Sequence, residues 1–258
     1  MPELPDVEVF RQYLDSTALH QKISGVEIRK ERLLEDISPG DFKKAVEGSE
    51  FSSSHRHGKH LIARLNSGSA VVLHFGMTGK LKYYKEPADE PDYARVVFHF
   101  DNGYQLGYDN MRMLGKVALT EDIDDYIARQ DLGPDAGRIR IAEFKDLLAS
   151  KRGMIKSAFM DQSLMAGMGN IFSDETLFQA GIHPKRQVGD LSEKEVETLY
   201  EKMMEVIEKS DECQISDFPD YFLINYRDED AECPRCHGDI EKIKVSSRST
   251  YLCPNCQK

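Results

Sequence analysis

Two cysteine pairs stand near the C-terminus: Cys233-Pro-Arg-Cys236 and, after residues 237–252, Cys253-Pro-Asn-Cys256. A CxxC turn lets two thiolates reach one ion, and two such turns facing each other complete a tetrahedron. The pattern predicts one structural Zn2+ held by Cys233, Cys236, Cys253 and Cys256, a closed site with no position left for a catalytic water. In a reducing compartment such pairs read as metal ligands before disulfides. Cys213 reads as an ordinary thiol and His237 as a surface histidine. At the other end, Pro2 follows Met1. Without Met1, Pro2 carries a free secondary amine, a nucleophile that can form a charged imine. With Met1 in place its nitrogen is a tertiary amide and has no such chemistry. Glu3, next to it, can serve as general acid or base if burial raises its pKa. Taken alone, Pro2 reads first as the start of a helix and Glu3 as a carboxylate complementing a helix dipole.

The elements that must position these groups fall into blocks. Val7, Phe10 and Leu14 recur at helical spacing after Pro5, which predicts a helix from about Pro5. From about Lys22 to Leu119 the runs Val71–Phe75 and Val96–Phe100, and Asn102-Gly103 before Tyr104–Tyr108, predict strands and a hairpin in a sandwich or barrel. Glu121, Asp122, Asp124, Asp125, Asp131 and Asp135, with Gly133-Pro134, mark a linker. Beyond Arg138 the pattern is helical. Ile141, Phe144, Leu147 and Leu148 share a face. Ser192 with Glu195 forms a capping box ahead of the stripe Val196, Leu199, Met203, Val206 and Ile207. The expected fold is α+β and multidomain. Residues 1–120 hold the N-terminal helix and a β-sandwich, 121–136 the linker, 137–226 a helical domain, and 227–258 a zinc finger.

A net charge of −11 speaks against nucleic-acid binding when taken over the whole chain. Net charge sets solubility and long-range steering, however, and not the local field of a groove. From Cys233 to Lys258, Arg235, Lys242, Lys244, Arg248 and Lys258 outnumber Asp239 and Glu241. With 40% hydrophobic and 31% charged residues the chain is globular and not disordered. It has no apolar run long enough to span a membrane. Glu3, Asp6, Glu8 and Asp15 leave no apolar core for a secretory signal, so an intracellular protein is expected, cytoplasmic or nucleoid-associated if prokaryotic.

Separated motifs point one way: Met1-Pro-Glu-Leu-Pro-Asp-Val-Glu8, then Arg56-His-Gly-Lys-His-Leu61 with His74-Phe-Gly-Met-Thr-Gly79, then Gly167-Met-Gly-Asn-Ile-Phe-Ser-Asp-Glu-Thr-Leu-Phe178 with Ala180-Gly-Ile-His-Pro184, and Arg248-Ser-Thr-Tyr-Leu-Cys253-Pro-Asn-Cys-Gln-Lys258. In order and spacing they resemble the formamidopyrimidine-DNA glycosylase/endonuclease VIII family over essentially the whole chain. The resemblance implies an N-terminal β-sandwich, a helical domain with a helix–two-turn–helix, and a zinc finger. It also implies a monomer acting on double-stranded DNA that carries oxidised bases or abasic sites. The implied activity is that of a bifunctional N-glycosylase and abasic-site lyase, with a Schiff base at Pro2 followed by β,δ-elimination.

By the same resemblance Glu3 assists sugar ring opening, and Lys59, His74, Asn170 and Arg248 hold the phosphates flanking the lesion. Met77, Arg112 and Leu114 fill the hole left by a flipped base. The segment Asp109-Asn-Met-Arg-Met-Leu-Gly115 is longer by one residue than the family's and lacks its aromatic; a leucine wedge still separates bases. Asp6 falls where the family has Glu. Glu175 is expected to orient the N-terminal segment by accepting backbone N–H bonds. The stretch from Ser210 to Arg227 is short for a loop closing over a purine, which predicts weaker excision of 8-oxoguanine than of oxidised pyrimidines or ring-opened purines. Two other readings stay open: a non-catalytic damaged-DNA-binding protein of the same fold, favoured if Met1 is retained, and a zinc-ribbon interaction scaffold, against which Pro2-Glu3 and the phosphate-holding set argue.

Overall fold

The computed structural model describes residues 1–213, 217–229 and 231–258. The chain divides into two compact units, residues 1–2 with 6–130 and residues 3–5 with 131–258.

The first unit is built from helix α1 (Leu4–Thr17), strands β1 (Ile23–Ile28) and β2 (Leu34–Glu35), helix α2 (Pro39–Val46), strands β3 (Phe51–His57), β4 (His60–Leu65), β5 (Ala70–His74), β6 (Gly79–Tyr84), β7 (Ala94–Phe100), β8 (Gln105–Asn110) and β9 (Lys116–Thr120), and helix α3 (Ile123–Arg129). Four strands pair in the order β1-β7-β8-β6, and five in the order β2-β9-β5-β4-β3. Their inner faces share one core. Val26, Val96, Phe98 and Leu106 come from the first sheet, and Phe51, Leu61, Ala63, Val71, Leu73 and Val117 from the second. Alternation along a strand sends successive side chains to opposite faces. Leu61 and Ala63 therefore enter the core while Ile62 points to the other face of the sheet. Val7 and Leu14 of α1 join the core at helical spacing. The hairpin at Asn102-Gly103 forms as the sequence predicts, with Gly103 at φ 81°.

The expected linker 121–136 is different in kind. Asp122 caps α3 by accepting from the backbone N–H groups of Asp124 and Asp125, and those two acids sit at the positive end of the helix dipole. Ile123 and Tyr126 then pack against Ile62, Ala70, Val72 and Ala118, covering the outer face of the five-stranded sheet. The acids are a helix start, and the chain leaves the unit only after Gln130.

The second unit contains helices α4 (Ile141–Ala149), α5 (Ile155–Met160), α6 (Asn170–Ala180) and α7 (Glu193–Glu212) and a hairpin of β10 (Glu241–Val245) and β11 (Arg248–Leu252). Phe144 and Leu148 of α4, Phe159 of α5, Phe172 and Leu177 of α6, and Leu199, Met203, Val206 and Ile207 of α7 share a core with Leu4. Ile141, expected on the same face of α4, is exposed at the helix start. The capping box of Ser192 and Glu195 opens α7 as read from the sequence. Helix α6 lies deepest, with every residue from Phe172 to Gln179 buried. The β10–β11 hairpin turns on Ser246-Ser247, at φ 46° and 64°, between the paired residues Val245 and Arg248. Two successive positive φ values match the twist of a two-residue hairpin but are strained for serine. Ser157 of α5 holds the turn through a 2.6 Å hydroxyl contact with Ser246. Among the described residues no helix is long and apolar enough to cross a membrane.

Candidate functional site

Helix α6 starts after Gly169 with no side-chain cap of its own. Its first N–H groups need acceptors from elsewhere. Glu3 supplies them: Ile171 N–H donates to Oε1 at 2.9 Å and Phe172 N–H to Oε2 at 3.1 Å. The carboxylate is 1% exposed and sits at the positive end of the dipole. Two glycines make room for it. A Cβ on Gly169 would lie 2.3 Å from Glu3 Cδ, and one on Gly167, at φ 121°, would lie 2.7 Å from Leu4 Cδ1. Leu4 N–H donates to the Gly167 carbonyl at 3.1 Å. Glu3 thus does complement a helix dipole, that of α6 and not that of the helix it precedes. Pro2, half-buried, comes directly before Glu3 in the chain, and Met1 before it is exposed. Asp6 lies half-buried in the first turn of α1.

Asn170, the first residue of α6, donates through Nδ2 to the Ser249 carbonyl at 3.0 Å. This ties the start of α6 to β11, whose first residue is the exposed Arg248. Beneath them lies an ion network that the sequence reading missed. Lys156 is fully buried; its Nζ meets Asp174 Oδ1 at 2.6 Å and donates to Thr250 Oγ1 at 2.6 Å. Asp174 Oδ2 takes Arg227 Nη1 and the N–H of Tyr251, the latter at 3.1 Å. Burial pushes the Lys156 ammonium below its ordinary pKa against the pull of Asp174. No local signal marked them: Lys156 stands between Ile155 and Ser157, and Asp174 between Ser173 and Glu175.

Glu175 requires a correction. Its acceptor bonds go to Leu223 N–H at 3.2 Å, Ile224 N–H at 2.7 Å and Gln179 Nε2 at 2.7 Å, and not to the N-terminal segment. Asn170 and Glu175 are five residues apart, so they lie on different faces of α6. Burial dominates these bonds and raises the Glu175 carboxyl to about 7.

In the first unit Lys59 occupies the two-residue turn Gly58-Lys59 between β3 and β4. Arg56, buried and paired with Glu8, braces that turn by donating to the Gly58 carbonyl at 3.2 Å. His74 ends β5 in register with His60, and the two rings lie 4.9 Å apart. Burial first, then neighbouring cationic charge, lowers His60 to about 3 and His74 to about 4. An unfolded chain takes up protons near the usual 6.5, so it binds more protons than the folded one as pH falls from there towards 4. Stability is therefore lost on acidification. We expect His60→Phe to lose less stability than the parent between pH 7 and 5, by about 2 kcal/mol, in urea titrations at each pH. Equal losses would mean that other groups control this range.

Met77, Arg112 and Leu114 come together on two abutting loops. Gly76, at φ 61°, passes so close that a Cβ would lie 2.4 Å from the Leu114 carbonyl carbon. Arg112 N–H donates to Thr78 Oγ1 at 3.2 Å, and Leu114 N–H to Asn110 Oδ1 at 3.2 Å. Met113, at φ 52°, turns its side chain into the core. Met77 is 39% and Leu114 50% exposed, which removes core packing as the reason for either.

The four cysteines gather as their spacing requires. All Sγ atoms lie within 4.8 Å of one another, with Cys233–Cys256 at 3.9 Å and Cys236–Cys253 at 3.4 Å. Zn–S bonds of about 2.3 Å place tetrahedral sulfurs about 3.8 Å apart, so one structural zinc ion fits. Arg235, inside the first pair, donates to the carbonyls of Phe178 at 2.8 Å and Gln179 at 3.1 Å. Helix α6 thus has a carboxylate at its N-terminus and a guanidinium at its C-terminus, both favourable to its dipole. His237 is exposed, against Glu232, and Cys213 ends α7 outside the cluster.

Three family models match along the chain: the formamidopyrimidine-DNA glycosylase N-terminal domain over residues 1–117, the formamidopyrimidine-DNA glycosylase H2TH domain over 132–218, and the zinc finger found in FPG and IleRS over 232–258. The formamidopyrimidine-DNA glycosylase of Pelotomaculum thermopropionicum is 33% identical, covering 100% of this chain and 99% of its own. The chain belongs to the formamidopyrimidine-DNA glycosylase family. The enzyme of that name from Streptococcus pneumoniae serotype 4 is 32% identical over 100% of this chain and 99% of its own. Among solved structures, Lactococcus lactis Fpg with FAPY-dG containing DNA is similar at a TM-score of 0.90 and 28% identity, covering 99% of this chain and 100% of that one. The same protein with N7-benzyl-Fapy-dG containing DNA reaches a TM-score of 0.91 at 28% identity over 100% of both chains. The helix–two-turn–helix of a glycosylase of this family is therefore carried by the second unit, and the zinc ion is the finger's structural metal.

Proposed function

We propose that this chain is a DNA glycosylase of base excision repair that removes oxidised bases and then cleaves the strand through Pro2. The observation that carries the reading is Glu3, buried and held in place by the first N–H groups of α6, directly after a residue that becomes a secondary amine once Met1 is removed. The Pro2 nitrogen attacks C1′ of the damaged nucleotide. The N–C1′ bond forms, the glycosidic bond breaks, and the base leaves with a proton. The nitrogen gives up its own proton as the sugar ring opens, so the iminium carries no N–H and can be neutralised only by losing a carbon-bound proton, from C2′, which expels the 3′ phosphate. It therefore remains an electron sink for loss of the 3′ and then the 5′ phosphate. Glu3 is the group that moves the proton at the ring oxygen.

Lys59, His74, Asn170 and Arg248 hold the phosphates on either side of the lesion, and Met77, Arg112 and Leu114 occupy the gap left by the flipped base. Asp6 supports the site from the first turn of α1, while Glu175 anchors the backbone of Leu223 and Ile224 to α6. Functionally we divide the chain at 1–130, with α3 closing the first unit, 131–226 and 227–258. The protein acts where the DNA is, in a prokaryote the nucleoid. Part of the segment expected to be too short to close over a purine, residues 214–216, lies outside the described residues. The ranking of substrates rests on its length alone.

Borohydride trapping on a duplex with an abasic site, with intact mass taken on the same sample, tests the reading. We expect a covalent adduct at Pro2 from protein lacking Met1, and in competition a preference for ring-opened purines or oxidised pyrimidines over 8-oxoguanine. Protein that starts at Pro2 and gives no adduct would make the chain a damage-binding protein instead.

A further inference from the structure

The chain has ten methionines. Met165, Met168 and Met203 are buried to within 2%, and Met113, Met154, Met160 and Met204 are partly buried. The exposed ones are Met1 at 48%, Met77 at 39% and Met111 at 47%. Met1 is lost when Pro2 is freed. The two that remain come from the abutting loops described above. Gly79 and Asn110 are paired at the ends of β6 and β8, and Met77 and Met111 lie just beyond that pair, one on each loop. The Arg112 N–H to Thr78 Oγ1 bond holds the loops together at this point. Both methionines are exposed on the loop pair that also carries Leu114, at 50% exposure and here called the ridge.

We propose that Met77 and Met111 are a peroxide-modifiable pair, whose conversion to sulfoxides reversibly lowers base excision. This rests on the functional reading above for its effect, though not for the modification itself. The sulfur lone pair attacks one peroxide oxygen, the S–O bond forms, the O–O bond breaks and water leaves. The sulfur loses two electrons and hydrogen peroxide gains them. The product is a polar, chiral side chain where an apolar one stood. On a solvated loop that is tolerated, so the free protein keeps its fold. Between bases the sulfoxide oxygen has no donor, and inserting the ridge becomes unfavourable. Met111 adds a second oxidisable group on the abutting loop, and Leu114, the other exposed apolar side chain there, has no ring to stack on a base.

The test is graded hydrogen peroxide, followed by peptide mass mapping and by two assays on the same samples: excision of a ring-opened purine from duplex DNA, and borohydride trapping on a preformed abasic site. We expect Met77 and Met111 to gain one oxygen each before any buried methionine does. Excision should fall by at least about tenfold, the loss that follows from one unpaired polar group among bases. Trapping should fall less, and methionine sulfoxide reductase should restore excision. Met77→Leu/Met111→Leu, compared only with itself before and after peroxide, should keep its own rate. The proposal is overturned if other methionines oxidise first, if both sulfoxides form and excision is unchanged, or if the double variant is inhibited as strongly as the parent. Untreated protein without excision would instead overturn the functional reading, and the mass map would still decide whether the pair is the modified site.

Discussion

Glu3→Gln will lower base excision by a factor of about 100 to 10,000, the range typical of losing a general acid or base. Two backbone donors meet the carboxylate, one at each oxygen. Glutamine offers one oxygen and one NH2 group, so either Ile171 N–H or Phe172 N–H would face another donor. That mismatch will destabilise the protein by about 1–3 kcal/mol, visible as a lower melting temperature. The two effects separate by comparing single-turnover excision with trapping on a preformed abasic site, at a temperature where the variant is folded. A variant that melts earlier yet excises at nearly the parent's rate would reduce Glu3 to a helix cap. Gly169→Ala supplies the complementary case: it keeps the carboxylate but drives a methyl group into Glu3 Cδ, and should displace the group that Glu3→Gln removes.

The second large effect is expected at Lys156. Lys156→Met keeps the length of the side chain and removes the charge, leaving buried Asp174 with Arg227 and the Tyr251 N–H. Breaking one side of a buried ion pair typically destabilises by about 3–5 kcal/mol, measurable by urea titration. Lys156 Nζ also holds Thr250 Oγ1, next to the Ser249 carbonyl that anchors Asn170. Loosening β11 therefore acts on Arg248 and Asn170 together, and the slope of log binding constant against log salt should become shallower by about one. An unchanged slope in a destabilised variant would confine Lys156 to folding. Replacing Lys156, Asp174 and Arg227 together by apolar residues should recover stability without restoring the slope, because no charge is then left unpaired.

Local patterns in the sequence announced much of this protein. The CxxC pairs, the helical spacing of Val7, Phe10 and Leu14, the Asn102-Gly103 hairpin and the Ser192/Glu195 cap each act within a few residues, and each appears in the structure. Long-range partners were not legible. Glu3 meets α6 across 168 positions, and Glu175 meets Leu223 across 48, distances at which one chain carries no pairing information. Helix α3 was misread because its capping acids resemble a solvated linker and its apolar stripe is only Ile123, Tyr126 and Ile127. Lys156 and Asp174 were passed over because each alone looks like an ordinary surface charge. The residues proposed to hold phosphates could be picked out only through resemblance, since lone lysines, histidines and arginines have no spacing that marks them.

The partners of Glu3 also set an order of events during synthesis. The third residue of the chain cannot be fixed until Ile171 and Phe172 have left the ribosome. At translation rates of about 5–20 residues per second, Glu3 stays without its α6 partners for on the order of ten seconds or more. In that interval Met1 is open to an aminopeptidase before Glu3 is drawn under α6. Late removal, from finished protein, would have to compete with a buried neighbour. If Pro2 is the nucleophile, as proposed, its maturation is timed by the length of chain that separates Glu3 from its helix.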